Sequence, residues 1–220
     1  IEKQGAGAAM MKNMKSAGEV IQAVKDGIKD AGKDITVSVK TRVGYNKVQI
    51  DEWIPFLLEQ GLDILTMLVG FASFAIHART RKEMSLVPAR WEHVREVVEI
   101  RDRMGVKTKI IGNGDVKDLA HGRKLAEETG CDGIMLGRAI FGNPWLFAEH
   151  IPTIEEKLKV MVEHTKLFEE ILGKYKNFAI MKKHYKAYVN GFDGAKELRI
   201  KLMEAENASE VEAITKQFLD

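Results

Sequence analysis

The sequence predicts an α/β domain built on a parallel sheet, followed by a small all-α domain. Three observations predict it. Short apolar or β-branched runs alternate with amphipathic helical patterns at a spacing of roughly 30 residues, the repeat of βα units. Each run ends in glycine or polar residues, as strands do where they leave a parallel sheet toward its ligand-bearing edge. From about His150 the strand signal stops and only helical periodicity remains. The division predicted is therefore residues 1–149 and 150–220.

Ser16 followed by Glu19 has the spacing of a capping box, and Ala17, Val20, Ile21, Val24 and Ile28 recur at helical intervals until Gly32. Ile35 to Val39 is short and β-branched, like a buried parallel strand, and it ends in the polar Lys40-Thr41-Arg42. A helix is predicted from Asp51 to Gln60, stopped by Gly61, with Pro55 in its first turn or at a kink. Leu62 to Thr66 starts a further strand. A helix from Trp91 to Met104 carries Val94, Val97, Val98 and Arg101 on one side, and Lys107 to Ile111 is the next strand. Gly112-Asn113-Gly114-Asp115 then turns into a helix that runs through Thr129 and closes at Gly130. Gly133 to Leu136 is the last strand, ending at Gly137-Arg138. A closed (β/α)8 barrel needs eight strands, and only about four are present. Either the others lie upstream or the sheet is a smaller open one.

In the second domain Ile154, Leu158, Met161, Thr165, Phe168 and Leu172 recur at helical intervals. Farther on, Lys174, Lys176, Lys182, Lys183 and Lys186 cluster without an acid among them, interleaved with Tyr175, Phe178, Tyr185 and Tyr188. The formal net charge is only +2, so a local cluster of this kind, and not the global field, would attract a nucleic acid.

At 220 residues and 45% hydrophobic composition the chain can bury a proper core. Its single cysteine, Cys131, cannot form an intrachain disulfide and sits at the sheet end opposite the ligand edge, as a structural residue would. No signal peptide opens the chain, and the run from Ile64 to Ile76 is too short to span a bilayer as a helix. A soluble cytoplasmic protein is expected. No histidine or cysteine cluster has metal-ligand spacing, and Gly-x-Ser-x-Gly and Walker patterns are absent, which leaves metal and hydrolase chemistry unsupported.

Gly112 to Asp115 leaves a strand and enters a helix, so its N–H groups could meet a phosphate at the helix N-terminus; equally, it could be a turn with Asp115 as the helix cap. Gly137-Arg138 ends the adjacent strand, where Arg138 could pair a phosphate bidentately or stand on the surface. Lys40, at a strand end, could stabilise an anionic reduced cofactor or be simply solvated. His77 could donate to a cofactor carbonyl or serve a structural role. Arg79 and Arg81 form either an anion-facing edge or a charged loop.

Taken in order, Gly5-Ala6-Gly7-Ala8-Ala9, Val37-Ser38-Val39-Lys40-Thr41-Arg42, His77-Ala78-Arg79-Thr80-Arg81, Ile111-Gly112-Asn113-Gly114-Asp115 and Gly133-Ile134-Met135-Leu136-Gly137-Arg138 resemble the tRNA-dihydrouridine synthases. Gly142-Asn143-Pro144-Trp145, Met181-Lys182-Lys183-His184, and Gly194-Ala195 to Leu198-Arg199 extend the resemblance over nearly the whole chain. It implies the C-terminal half of a (β/α)8 TIM barrel followed by a small helical tRNA-binding domain. It also implies FMN as cofactor, NADPH as reductant, and hydride transfer to the C5–C6 double bond of a tRNA uridine. On this resemblance Lys40 and His77 contact the isoalloxazine, and Asn113, Gly114, Asp115, Gly137 and Arg138 the ribityl and phosphate end. RNA contacts fall to Arg79, Arg81, Lys182, Lys183 and Lys186, because a uridine that must leave its stack needs the surrounding RNA gripped.

Two departures accompany the resemblance. The family's catalytic cysteine, the general acid, belongs to a Gly-Cys-Pro segment upstream of the stretch matching Ile1 to Gly7. This chain, which begins without methionine and reads as a cut, is therefore expected to hold a cofactor without completing the reaction. Secondly, Met67 to Ala75 interrupts a place where Thr66 would adjoin Ile76; the insertion either displaces His77 or loops out. Two alternatives stay open: an FMN barrel oxidoreductase of dihydroorotate or dihydropyrimidine dehydrogenase type, and a non-catalytic RNA-binding half-barrel that self-associates through exposed sheet edges.

Overall fold

The computed structural model describes residues 2–62, 73–84, 86–148 and 150–220. The chain divides into two compact units, Ile1–Gly137 and Arg138–Asp220, a boundary that falls ahead of the change in periodicity at His150.

In the first unit, among the described residues, four parallel strands stand in sequence order: β1 (Val39–Arg42), β2 (Ser73–His77), β3 (Lys109–Asn113) and β4 (Gly133–Met135). Helix α1 (Met14–Asp30) precedes them, and α2 (Ile50–Glu59), α3 (Glu92–Met104) and α4 (Leu119–Thr129) lie between successive strands. This is the βα repeat that the alternating periodicity predicts. Its core joins Ile54, Leu57 and Leu58 of α2 to Val94 and Val97 of α3 and Ile110 of β3; burial of such a side chain contributes about 1.5–3 kcal/mol.

Several boundaries differ from the sequence expectation for local reasons. Asn13 caps α1, its side chain accepting from the Ser16 N–H at 3.1 Å, so Ser16 lies inside the first turn. β1 begins at Val39, not Ile35, because the ladder with β2 runs from Val39↔Phe74 to Arg42↔His77. Lys40, Thr41 and Arg42 are thus strand residues. Pro55 lies beyond the first turn of α2 and removes an interior donor. Asp118, accepting from the His121 N–H at 2.7 Å, caps α4, so Gly112 to Asp115 does not lead directly into a helix.

The strand expected at Leu62 to Thr66 lies, apart from Leu62, outside the described residues, as does 67–72 of the expected insertion. Its remainder, Ser73 to Ala75, is part of β2, and His77 ends the ladder. Cys131 is buried, its thiol 3.3 Å from the Gly133 carbonyl.

The second unit contains α5 (Ile154–Leu172), α6 (Ala179–Tyr188), α7 (Ala195–Glu204) and α8 (Ala208–Leu219). Thr153 and Glu156 form a reciprocal capping box that starts α5. Leu158 and Met161 of α5, Met181 and Tyr185 of α6, Leu198 and Leu202 of α7, and Val211 of α8 make its core. Among the described residues, no helix is long and apolar enough to cross a membrane.

Candidate functional site

Parallel pairing in register brings Arg42, His77, Asn113 and Met135 into one row across the C-terminal ends of the strands. Side chains alternate along a strand, so Lys40 shares the face of Arg42. Thr41, between them, points the other way and accepts from Trp53 Nε1 at 2.8 Å. Arg42 donates from Nη1 to the Thr80 carbonyl at 3.2 Å, and Asn113 from Nδ2 to the Met135 carbonyl at 2.7 Å. Beside β1 lies a cavity of about 460 Å³, whose lining includes Lys40, Arg42, Met10, Met11, Val39 and Trp53.

His77 keeps a buried Nδ1 without a hydrogen-bond partner. Its pKa is pushed down to about 4, first by burial and then by the charges of Arg42, Lys40 and Arg79, with Asp115 acting in the opposite sense. The ring is therefore neutral at neutral pH, offering one donor and one acceptor nitrogen. Much of the Lys40 side chain is solvent-exposed, yet burial of its amine and the charge of Arg42 hold the ammonium below its ordinary pKa. Arg42 is lowered in turn by burial, Arg79 and Arg81. Cations crowded around a neutral imidazole suit an anionic ligand that also presents carbonyl or ring-nitrogen atoms.

The glycine loop has neighbours of its own. A Cβ on Gly112 would lie 2.3 Å from the Trp91 ring, and one on Gly114, at φ +131°, would lie 2.7 Å from the Ala89 Cβ. Protein packing, not an open approach for a ligand, requires these two glycines. Trp91 Nε1 donates to the Gly114 carbonyl at 3.0 Å. The Asp115 carboxylate accepts from Arg79 Nη2 and from the Ala89 N–H, the latter at 2.9 Å. It neither caps α4 nor stands ready for a phosphate, which it would repel.

Arg79, expected at an RNA-facing edge, is 3% exposed and also donates from Nε to the Val87 carbonyl at 2.5 Å. Arg81 is likewise engaged: its Nε meets Glu2 Oε1 at 2.6 Å and its Nη2 meets Oε2, while Tyr45 donates to the same carboxylate at 3.1 Å. Neither arginine is an open RNA contact, because the Arg79 guanidinium is buried against the Asp115 carboxylate and the Val87 carbonyl, and the Arg81 fork is occupied by Glu2. Gly137 has no atom within 4 Å of where a Cβ would stand. Arg138 is exposed and opens the second unit in a short 3₁₀ turn, Arg138–Ile140.

In the helical unit the basic cluster separates. Lys182 donates to the Met203 carbonyl at 2.6 Å, near the C-terminus of α7. Lys183 and Lys186 are exposed on α6, as are Lys174, Lys176 and Tyr175 ahead of it. Tyr185 and Tyr188 are buried and Phe178 packs against them, so they belong to the core. Gly142 sits where a Cβ would come within 2.3 Å of the Ala187 carbonyl. Among the described residues, no group of three or more His, Cys, Asp or Glu could hold a metal ion.

Arg42 is the residue that sequence reasoning missed. Its signal was present, since a residue two positions after Lys40 on one strand must share its face. The pairing of Arg79 with Asp115 had no comparable signal, because it depends on how two separate strand ends meet.

A family model described as dihydrouridine synthase matches residues 1–220. A protein named probable tRNA-dihydrouridine synthase from Staphylococcus aureus (strain MRSA252) is 36% identical over 99% of this chain and 63% of its own length. One of the same name from Staphylococcus epidermidis (strain ATCC 12228) is 37% identical over 99% of the chain and 64% of its own. The probable tRNA-dihydrouridine synthase 2 of Bacillus subtilis (strain 168) is 37% identical over 97% and 62%. The chain thus spans a little under two thirds of the length of these relatives. With the family match running from the first residue to the last, this chain belongs to the dihydrouridine synthase family.

Proposed function

We propose that the chain serves in a cytoplasmic tRNA-dihydrouridine synthase, an FMN-dependent and NADPH-consuming reductase of uridine in tRNA. The four βα strands would belong to its (β/α)8 barrel, and the helical unit would bind RNA. One observation carries the reading: Arg42, His77 and Asn113 stand in a single register row, with Lys40 on the same face of β1; Lys40 and Arg42 also line the cavity beside β1, which reaches neither His77 nor Asn113.

The residues present suit FMN. The orphaned Nδ1 of His77 can bond a ring nitrogen or carbonyl without adding charge. Lys40 and Arg42 bring positive charge, which favours an anionic reduced flavin. Gly137 leaves its backbone open to a phosphate. Lys40, Arg42 and His77 would therefore hold the isoalloxazine, with Asn113 and Gly137 toward the ribityl and phosphate end. The chemistry FMN supplies when bound is hydride transfer from NADPH to the C5–C6 double bond of uridine. Lys40 stabilises negative charge at the site, Arg42 is steered by the Thr80 carbonyl, and His77 orients a hydrogen bond while remaining neutral. On α6, Lys183 and Lys186 would neutralise phosphates while Tyr175 offers a stacking surface.

Titrating the chain with FMN by flavin fluorescence, and with unmodified tRNA by gel shift, tests the reading. Saturable FMN binding is expected, weakened by Lys40→Met and by His77→Leu. A tRNA shift is expected that fades with salt and on replacing Lys183 and Lys186. Absence of both binding events overturns the proposal; flavin binding without a tRNA shift at low salt points to an oxidoreductase of small molecules.

A further inference from the structure

Three loops of the first unit meet at one carboxylate. Arg79 comes two residues after His77 at the end of β2, Val87, Ala89 and Trp91 lead into α3, and Gly114 and Asp115 follow β3. One Asp115 oxygen accepts both from Arg79 and from the Ala89 N–H, while Arg79 Nε holds the Val87 carbonyl and Trp91 holds the Gly114 carbonyl. We infer that Arg79 and Asp115 form a latch that positions the glycine loop after β3 and thereby fixes His77 against Asn113 in the strand-end row. Both are positioning residues. Their relevance to flavin rests on the proposed function; the latch itself does not.

Backbone conformation supports the assignment. Asp115 has φ +52°, left-handed for a residue other than glycine. Most side chains avoid this region, and aspartate is among the few that adopt it. Glycine would fit there without strain, so the carboxylate accounts for aspartate. Arg79 is almost fully buried, and a buried guanidinium must be paired. The link to the row is short: the Ala78 N–H donates to the Asn113 carbonyl at 3.0 Å, and the Arg90 N–H to the Ala78 carbonyl at 2.9 Å. Movement of the latch is therefore carried into the main chain immediately after His77 and Asn113. The same carboxylate is the negative charge that partly offsets Arg79 at the imidazole.

Removing only Asp115 would strand a buried charge and endanger folding. The test therefore compares Asp115→Asn with a double variant, Arg79→Met and Asp115→Asn, which deletes the charge pair while filling the space, and with the conservative Arg79→Lys. In the full chain, amide hydrogen exchange at residues 113–115 is expected to rise roughly tenfold in the double variant with protection in α2 unchanged, and FMN affinity to fall by a similar factor. Arg79→Lys should recover part of both losses. By NMR titration, Asp115→Asn should lower the His77 midpoint further, and the double variant, lacking both charges, should lie above that single variant. A folded double variant with wild-type loop exchange overturns the latch. Wild-type flavin affinity in that variant overturns its role at the site. Failure of the unmodified chain to bind FMN counts against the proposed function alone, because the exchange measurement still decides the latch.

Discussion

Lys40, Arg42 and Arg79 at the strand ends of the first unit, and Lys183 and Lys186 on α6 of the second, carry the same kind of charge. The first set lies among carbonyls, a carboxylate and a neutral imidazole, with burial pressing on Lys40, Arg42 and His77. The second stands in water along a helix. Enclosure separates their uses. A preorganised, partly desolvated cation can recognise one ligand in one orientation, whereas a solvated one contributes a long-range attraction that salt erodes.

The largest effect that would break the comparison concerns how rigidly the enclosed set is held. Gly112→Ala should cost about 3 kcal/mol by overpacking against Trp91, read as a lower denaturation midpoint. Gly137→Ala, with open space, should stay within about 0.5 kcal/mol and instead weaken FMN. Equal stability losses would mean that packing does not distinguish the two glycines.

Next in size is the response of His77 to pH. Its folded pKa, about 4, lies below the ordinary 6.5, so the unfolded chain binds the extra proton first. The contribution to stability is fully present above about pH 6.5 and lost as pH falls toward 4. Denaturant unfolding between pH 7 and pH 4.5 should show the loss, and His77→Leu should flatten that part of the profile. A titration midpoint near 6.5 would remove the enclosed character of the site.

On α6, replacing Lys183 or Lys186 should reduce the slope of log affinity for tRNA against log salt by roughly 0.7–0.9 per residue. Lys182→Ala removes the same formal charge but should act mainly on stability, by about 1 kcal/mol or less, through the lost bond to the Met203 carbonyl. The smallest change is expected for Arg81→Ala, which breaks a solvent-screened pair with Glu2. Neither the melting temperature nor tRNA binding should shift measurably.

How much of this was legible follows from which forces are local. The alternation of strand and helix, the polar strand ends and the α5 stripe from Leu158 to Phe168 are written in residue spacing and reappear in the structure, whereas Ile154 and Leu172 at the ends of that stripe are exposed. Caps misled where two acceptors competed nearby: Asn13 outcompeted Ser16, and Asp118 took the place offered to Asp115. The start of β1 was misjudged because β-branched composition continues upstream of the residues that find a partner in β2. At the site, Lys40 and His77 could be selected by position and resemblance. The burial of Arg79, the occupied fork of Arg81 and the diversion of Lys182 to a helix end could not, since all three depend on partners distant in sequence.

The strand ladder also acts as a ruler. His77 is located by its pairing with Arg42 on one side and Asn113 on the other, not by the number of residues that lead to it. Connections between these strands can therefore lengthen or shorten across a lineage while the row keeps its composition. A slip of a single residue within β2 would instead turn His77 onto the helix-facing side. Variation in such proteins should accordingly accumulate as whole-segment changes between ladders and be purged as single-residue insertions within them.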